Sequence, residues 1–264
     1  MQAFGVFAER LRHSTVQVFT HKERGGGSGV VWNADGLILT NSHVARSAEM
    51  QVELWDGRRF PARVASRDPR RDLAELRISA SGLEPAAPAD SSSLRPGELV
   101  MAIGNPLGFA GALSTGVIHS IGTLPGMGRQ HWIRANVRLA PGNSGGPLAD
   151  ARGRVIGINT AIVNGLGVAV PSNAISTFVD RGPRPALGVT LRPGQIGLEI
   201  LDVDPHGAAA TASLRTGDIL IMSFDDLSDA LDSGRDVLRL QFFRGDRTRV
   251  REAFIRLGVR AEAA

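Results

Sequence analysis

From residue 15 to residue 171 the apolar positions recur at every second place, in short runs broken by Gly, Pro, Asn and Asp. That period places alternate side chains on opposite faces of a strand, so the pattern predicts many short strands joined by turns. The runs fall at 16–19, 30–32, 37–40, 51–55, 60–66, 72–78, 99–103, 115–121, 132–137, 155–162 and 167–171. Asn33-Ala34-Asp35-Gly36 is a tight-turn signal and joins two of them into a hairpin. The stretch 25–29, rich in glycine, reads as another turn, 79–96 as a surface connection and 124–130 as a loop. The period shifts to that of a helix at two places. Phe4, Phe7, Ala8 and Leu11 are spaced for an amphipathic helix over 4–12. A terminal helix is expected over 173–181, capped by Ser172 or Asn173.

Beyond 181 the strand period returns. Arg181-Gly182-Pro183-Arg184-Pro185 reads as a stiff linker. Strands are expected near 187–191, 197–203 and 215–222, with a final hairpin of 237–243 and 249–257. Short helices are expected at 208–214 and 225–231. The chain therefore divides into a larger β-rich region over 1–180, the linker 181–185 and a smaller unit over 186–260.

Composition changes this picture little. The 264 residues suffice for a substantial core, and 42% hydrophobic with 21% charged is ordinary for a globular chain. The formal charge of +4 comes from scattered arginines, Lys22 being the sole lysine, so no nucleic-acid surface is expected. The absence of cysteine excludes disulfides and thiolate chemistry. No metal or cofactor motif is read; the glycines at 25–29 lack the Lys-Ser/Thr of a phosphate loop. Residues 1–12 carry Glu9, Arg10 and Arg12 and no apolar h-region, so neither a signal peptide nor a transmembrane segment is expected.

The candidate chemistry centres on Pro141-Gly142-Asn143-Ser144-Gly145-Gly146-Pro147-Leu148. A serine hydroxyl becomes a nucleophile only beside a base, with an orienter for that base and amide donors for the oxyanion. Flanking glycines let the backbone turn sharply, but alone the octapeptide is equally a glycine-rich turn. Of six histidines, His43 stands out because Thr40-Asn41-Ser42-His43-Val44 follows directly on an apolar strand. Asp72 stands at the start of the run Leu73-Ala74-Glu75-Leu76-Arg77-Ile78, where a half-buried carboxylate needs a donor such as an imidazole. Asp68, before its proline, has the look of an ordinary turn residue.

The order His43, Asp72, Ser144 within a β-rich region resembles the triad of chymotrypsin-like proteases. The stretches Thr40-Asn41-Ser42-His43-Val44, Asp72-Leu73-Ala74-Glu75-Leu76 and Gly142-Asn143-Ser144-Gly145-Gly146-Pro147-Leu148 resemble the HtrA/Deg branch. So do the stretch 102–108 and Val168-Ala169-Val170-Pro171-Ser172-Asn173. The resemblance implies a mainly β fold: a chymotrypsin-like double β-barrel, with barrels near 14–80 and 97–171, then a small α+β PDZ domain. That last unit resembles PDZ domains in its Leu187-Gly188-Val189 entry and in Leu214-Arg215-Thr216-Gly217-Asp218-Ile219-Leu220.

The resemblance implies catalytic roles for His43, Asp72 and Ser144, with an oxyanion hole over Gly142, Asn143 and Ser144. It implies substrate pairing along Asn159, Thr160, Ala161 and Ile162, and a pocket walled by Leu139, Ile162 and Val170. No acidic residue falls in those stretches, so small aliphatic residues rather than Lys or Arg are expected on the acyl side of the scissile bond. Leu187, Gly188 and Val189 would receive the carboxylate of a C-terminal peptide. The implied activity is endopeptidase cleavage of unfolded or misfolded proteins, in a homotrimer to which Phe4 and Phe7 contribute. Family members are usually periplasmic or membrane-anchored. The alternative is a chaperone-like, peptide-binding protein with a resting triad. The chain departs from the family at Asn136, Val137, Arg138 and Ala140 before the serine loop, and in short loops after Phe19 and at 161–166. The segment between Phe224 and Leu227 is also abbreviated.

Overall fold

Strands buried on both faces read as almost unbroken apolar runs, and strands with one wet face alternate. Both kinds occur here. A computed structural model describes residues 2–20, 26–105, 111–180, 187–233 and 235–257. The expected linker 181–185, residues 106–108 and residues 258–260 lie outside the described residues. The chain forms two compact units, Met1–Gly182 and Pro183–Ala264.

In the first unit, β1 (Thr15–Phe19), β2 (Gly27–Val31), β3 (Leu37–Thr40), β4 (Glu49–Glu53), β5 (Arg59–Asp68) and β6 (Leu73–Ile78) close into a barrel, in the order β1-β2-β3-β6-β5-β4. A second closed barrel comprises β7 (Leu99–Gly104), β8 (Ala112–Gly122), β9 (Trp132–Ala135), β10 (Pro147–Asp150), β11 (Val155–Val163) and β12 (Leu166–Pro171). Its order is β10-β11-β12-β9-β8-β7. Closure removes the free edges that an open sheet would expose. This is the double β-barrel architecture expected from the sequence.

Each barrel fills its own interior. Val16, Val18, Ile38, Val52 and Leu76 pack inside the first. Val100, Ile118, Ile133, Leu148 and Ile156 pack inside the second. The outward faces of β2, β3 and β7 meet a third cluster, which contains Val30, Leu39, Met101, Ile103, Trp132 and Ile158. Strands that serve two cores have no wet face, so β2 and β3 are buried at every position. This shared core fixes one barrel against the other, and the serine loop lies where they meet.

Two helices seal the shared core. Helix α1 (Gln2–His13) buries Leu11, and Phe4 and Phe7 pack against the same cluster. The two phenylalanines are only partly buried by this packing, which accounts for one side of each ring and does not test a subunit interface. Helix α2 (Ser172–Asp180) buries Ile175 and Phe178. Ser172 and Asn173 do not act as the expected caps. The Ser172 hydroxyl donates to the Ala89 carbonyl, and Asn173 Oδ1 accepts from the Ser91 amide. They tie the 79–96 connection, with its 3-10 turn Ser91–Ser93, onto the second barrel.

The second unit is an antiparallel sheet of β13 (Val189–Pro193), β14 (Leu198–Val203), β15 (Ile219–Leu220), β16 (Val237–Arg244) and β17 (Asp246–Arg256), paired in that order. It carries α3 (Ala208–Thr211) and α4 (Phe224–Asp232). Its separate core holds Leu198, Ile200, Leu220, Leu240 and Ile255. The buried Asp218 receives two bonds from the Arg244 guanidinium at 2.7 Å and one from the Arg215 amide. A carboxylate so buried is tolerable only with its acceptor positions filled. A reciprocal Ser223–Asp226 capping box starts α4. No helix among the described residues is long and apolar enough to cross a membrane.

Candidate active site

Asp72 is presented by a turn that a second aspartate organises. Asp68, 1% exposed, accepts from the Arg70 and Arg71 amides and pairs with the Arg71 guanidinium at 2.8 Å. It is therefore a structural element of the site rather than a plain turn residue. Asp72 follows with φ of 53°, a left-handed geometry that aspartate tolerates better than bulky residues. It precedes β6 rather than opening it, so its side chain is free of the ladder. The Asn41 amide side chain fixes it from behind by donating to the Asp72 carbonyl at 2.8 Å.

The Asp72 carboxylate grips His43 twice. The His43 backbone amide donates to Oδ1 at 3.0 Å, and the ring Nδ1–H donates to Oδ2 at 2.7 Å. An ionised carboxylate only accepts, so the proton must sit on Nδ1 and the Nε2 lone pair is left open. That is the tautomer a general base requires. His43 is 42% exposed and Asp72 19%, so the ring faces the cleft while the carboxylate sits behind it.

Ser144 comes from the loop between β9 and β10, which is clamped to the first barrel. The Ser28 amide donates to the Ser144 carbonyl at 2.7 Å, and the Ser28 hydroxyl donates to the Gly142 carbonyl at 2.7 Å. Ser28 Oγ also accepts from the Asn105 amide at 2.9 Å. Gly145 is at φ of 87°, and a Cβ there would overlap the Ser28 carbonyl and the Thr40 hydroxyl. Within the loop, the Asn143 amide donates to the Ala140 carbonyl and the Gly145 amide to the Asn159 carbonyl. Among the described residues, the Gly142 and Ser144 amides have no acceptor. The Asn143 amide is thus consumed by the turn, and the free donors are those of Gly142 and Ser144.

Thr160 links two of the three candidates, Asp72 and Ser144. Residues Asn159 and Ala161 pair with Ala169 and Val168, so Thr160 is the extra residue of a β-bulge in β11. A bulge leaves its residue out of the ladder and redirects its side chain. The Thr160 hydroxyl donates to Asp72 Oδ2, and its carbonyl accepts from Ser144 Oγ at 3.2 Å. The serine hydroxyl therefore points at Thr160 in this structure, while Ser144 and His43 line the same cleft.

The other expected site residues separate into distinct settings. Asn159 is 1% exposed, and its side-chain amide donates to the Gly146 and Pro147 carbonyls. It holds the serine loop instead of facing a substrate. Val170 is fully buried in the shared core and cannot wall an open pocket. Leu139 lies against Gly167, whose register partner is the exposed Ile162, so these two do stand together. Leu187, Gly188 and Val189 lie in the second unit, Leu187 buried and Gly188 at φ of 71°.

Sequence reasoning missed Ser28, Asn105 and the carboxylate role of Thr160. For Ser28 a signal existed, since the stretch 27–31 runs into an apolar strand and forms β2 rather than a turn. The bulge at Thr160 leaves no mark in the sequence. Beside the triad candidates a cleft of about 490 Å³ is lined by Phe19, Val44, Arg46, Met50, His43 and Ser144, among others.

The trypsin-like peptidase domain model matches residues 27–158, the region that carries all three candidates. The chain is 35% identical over 270 residues to the chloroplastic Protease Do-like 1 of Arabidopsis thaliana, covering 84% of this chain and 62% of that one. It is 34% identical over 223 residues to the periplasmic serine endoprotease DegP of Escherichia coli strain K12, covering 74% and 47%. The chain thus spans about half to three-fifths of the length of such relatives. Among solved structures it resembles the serine endoprotease from Yersinia pestis at 26% identity and a TM-score of 0.66, covering 96% of this chain and 97% of that one. It likewise resembles the HtrA-type protease AlgW with tripeptide, at 26% identity and a TM-score of 0.66, covering 98% of each. The matched residues span half of the chain and include both the histidine and the serine loop, and on that ground the chain belongs to the trypsin-like peptidase family.

Proposed function

We propose that this protein is a serine endopeptidase of the HtrA/Deg type, acting on unfolded or misfolded polypeptides. The observation that carries the reading is the carboxylate–imidazole pair of Asp72 and His43 beside a clamped serine loop with two free amides. Ser144 Oγ turns about its Cα–Cβ bond from the Thr160 carbonyl toward His43 Nε2. It attacks the scissile carbonyl while Nε2 takes its proton. The Gly142 and Ser144 amides receive the negative charge on the carbonyl oxygen, a donor being worth about 3 kcal/mol. Asp72 stabilises the imidazolium, and His43 returns the proton to the leaving amine. A water, activated by the same imidazole, then releases the acyl group and restores Ser144.

Residues 160–162 extend β11 beyond its pairing with β10, which stops at Ile158. They offer an unpaired backbone edge on which the acyl side of a substrate adds as a strand. Leu139 and Ile162 then favour a small aliphatic residue before the scissile bond. The second unit is read as a PDZ domain. Its sheet begins with the edge strand β13, preceded by Leu187 and Gly188, a fitting place for an added C-terminal peptide strand. Regulation through that strand, and assembly as a homotrimer, complete the proposal.

Unfolded casein tests it. The wild-type protein is expected to degrade it, and the Ser144→Ala protein is not. Equal degradation by both would remove Ser144 as nucleophile. Binding without cleavage by the wild type would favour the chaperone-like alternative.

A further inference from the structure

The cleft beside the triad has a chemical asymmetry that the hydrolytic mechanism does not use. Its accessible apolar lining is Phe19 and Val44, both half-buried, with the buried Val18 and Met50 behind them. Its rim beside His43 is basic. Arg46 lines the cleft, and its Nε donates to the His43 carbonyl at 2.7 Å. Arg67 does not itself line the cleft but stands next to it, with Nη2 donating to the carbonyl of cleft-lining Ser47 at 2.9 Å. Both guanidiniums are thus anchored by main-chain oxygens, and neither is paired with a carboxylate among the described residues. No acidic side chain lines the cleft among those residues.

The position of the cleft decides which part of a substrate would enter it. The acyl side is assigned to the edge 160–162 and the pocket of Leu139 and Ile162, all from the second barrel. His43 gives its proton to the leaving amine, so the chain after the scissile bond departs past His43. Besides His43 and Ser144, the cleft is lined by the half-buried Val44 and Phe19 of the first barrel. We propose that this cleft is a leaving-side subsite. It selects substrates with an apolar residue directly after the scissile bond, followed within two residues by an acidic side chain. The apolar residue packs on Phe19 and Val44, and the carboxylate meets Arg46 and Arg67. This substrate class rests on the endopeptidase reading above.

The test uses internally quenched peptides with one common acyl side and Leu-Glu, Leu-Gln or Leu-Lys after the scissile bond. Two arginines at exposed sites predict kcat/KM for the Glu peptide about three- to thirty-fold above that for the Lys peptide. The ratio should fall as salt is raised, because the rim is solvated. Arg67→Glu, remote from the His43 carbonyl, should bring the ratio to about one or below, and Arg46→Glu should do the same. A merely structural role for either arginine would lower all three rates together and leave the ratio intact. Equal wild-type rates for the three peptides would overturn the subsite while leaving the endopeptidase reading standing. No cleavage of any peptide, with no reaction of Ser144 toward a fluorophosphonate, would instead overturn that reading and the subsite with it.

Discussion

At the residue scale, the triad candidates were readable because each sits in a short contiguous motif, and their supports were not. Thr160, Ser28 and Asn105 act through a bulge and through contacts between barrels, which local pattern does not encode. Thr160 gives the sharpest consequence. Thr160→Val keeps the shape but removes one donor from Asp72, and a hydrogen bond to a charged group is worth about 1.5–3 kcal/mol. The expected result in a peptide assay is a fall in kcat of about ten-fold or more, with KM little changed and activity restored in Thr160→Ser. Glu75 offers a second consequence, in β6 behind the site. Burial pushes its carboxyl above the usual range, and Arg77 opposes this only in part. The unfolded chain therefore ionises first. Stability is fullest below the ordinary glutamate value and is lost as pH rises through the raised one. Glu75→Gln should be more stable than the wild type at neutral pH and equal to it near pH 3, about a unit below an ordinary glutamate pKa, as urea unfolding at the two pH values would show.

At the scale of elements, alternation and turn residues located most strands of both barrels, and helical spacing located α1. The failures are physical. Residues 27–29 have a turn composition, yet β2 needs small residues there: a Cβ at Gly27 would meet the Ser144 carbonyl at 2.8 Å, and one at Gly29 would meet Ile38 and Val16 of the barrel interior. Ser172 and Asn173 look like caps in sequence but are drawn off by the connection at 79–96. The docking of α1 onto the shared core carries its own test. Leu11 is 2% exposed, and Leu11→Ala leaves a cavity that costs about 2–5 kcal/mol. Urea denaturation should report a loss in that range. A change under about 0.5 kcal/mol, the size of a surface substitution, would place α1 away from the core.

At the scale of the molecule, the sequence separated a double barrel from a smaller C-terminal unit, and the structure forms two units with separate cores. What pattern alone could not give is the shared core that joins the barrels. That core brings a histidine and a serine, 101 positions apart, to one cleft, with the aspartate bonded behind the histidine. The assignment of Ser144 as the nucleophile activated by His43 is the claim on which the rest depends. A fluorophosphonate probe tests it directly, since it needs only an activated serine and oxyanion donors. Mapped by mass spectrometry, the adduct should fall on Ser144 in the wild type and vanish in both Ser144→Ala and His43→Ala. An adduct that persists without His43, or one that maps to another residue, would contradict the account.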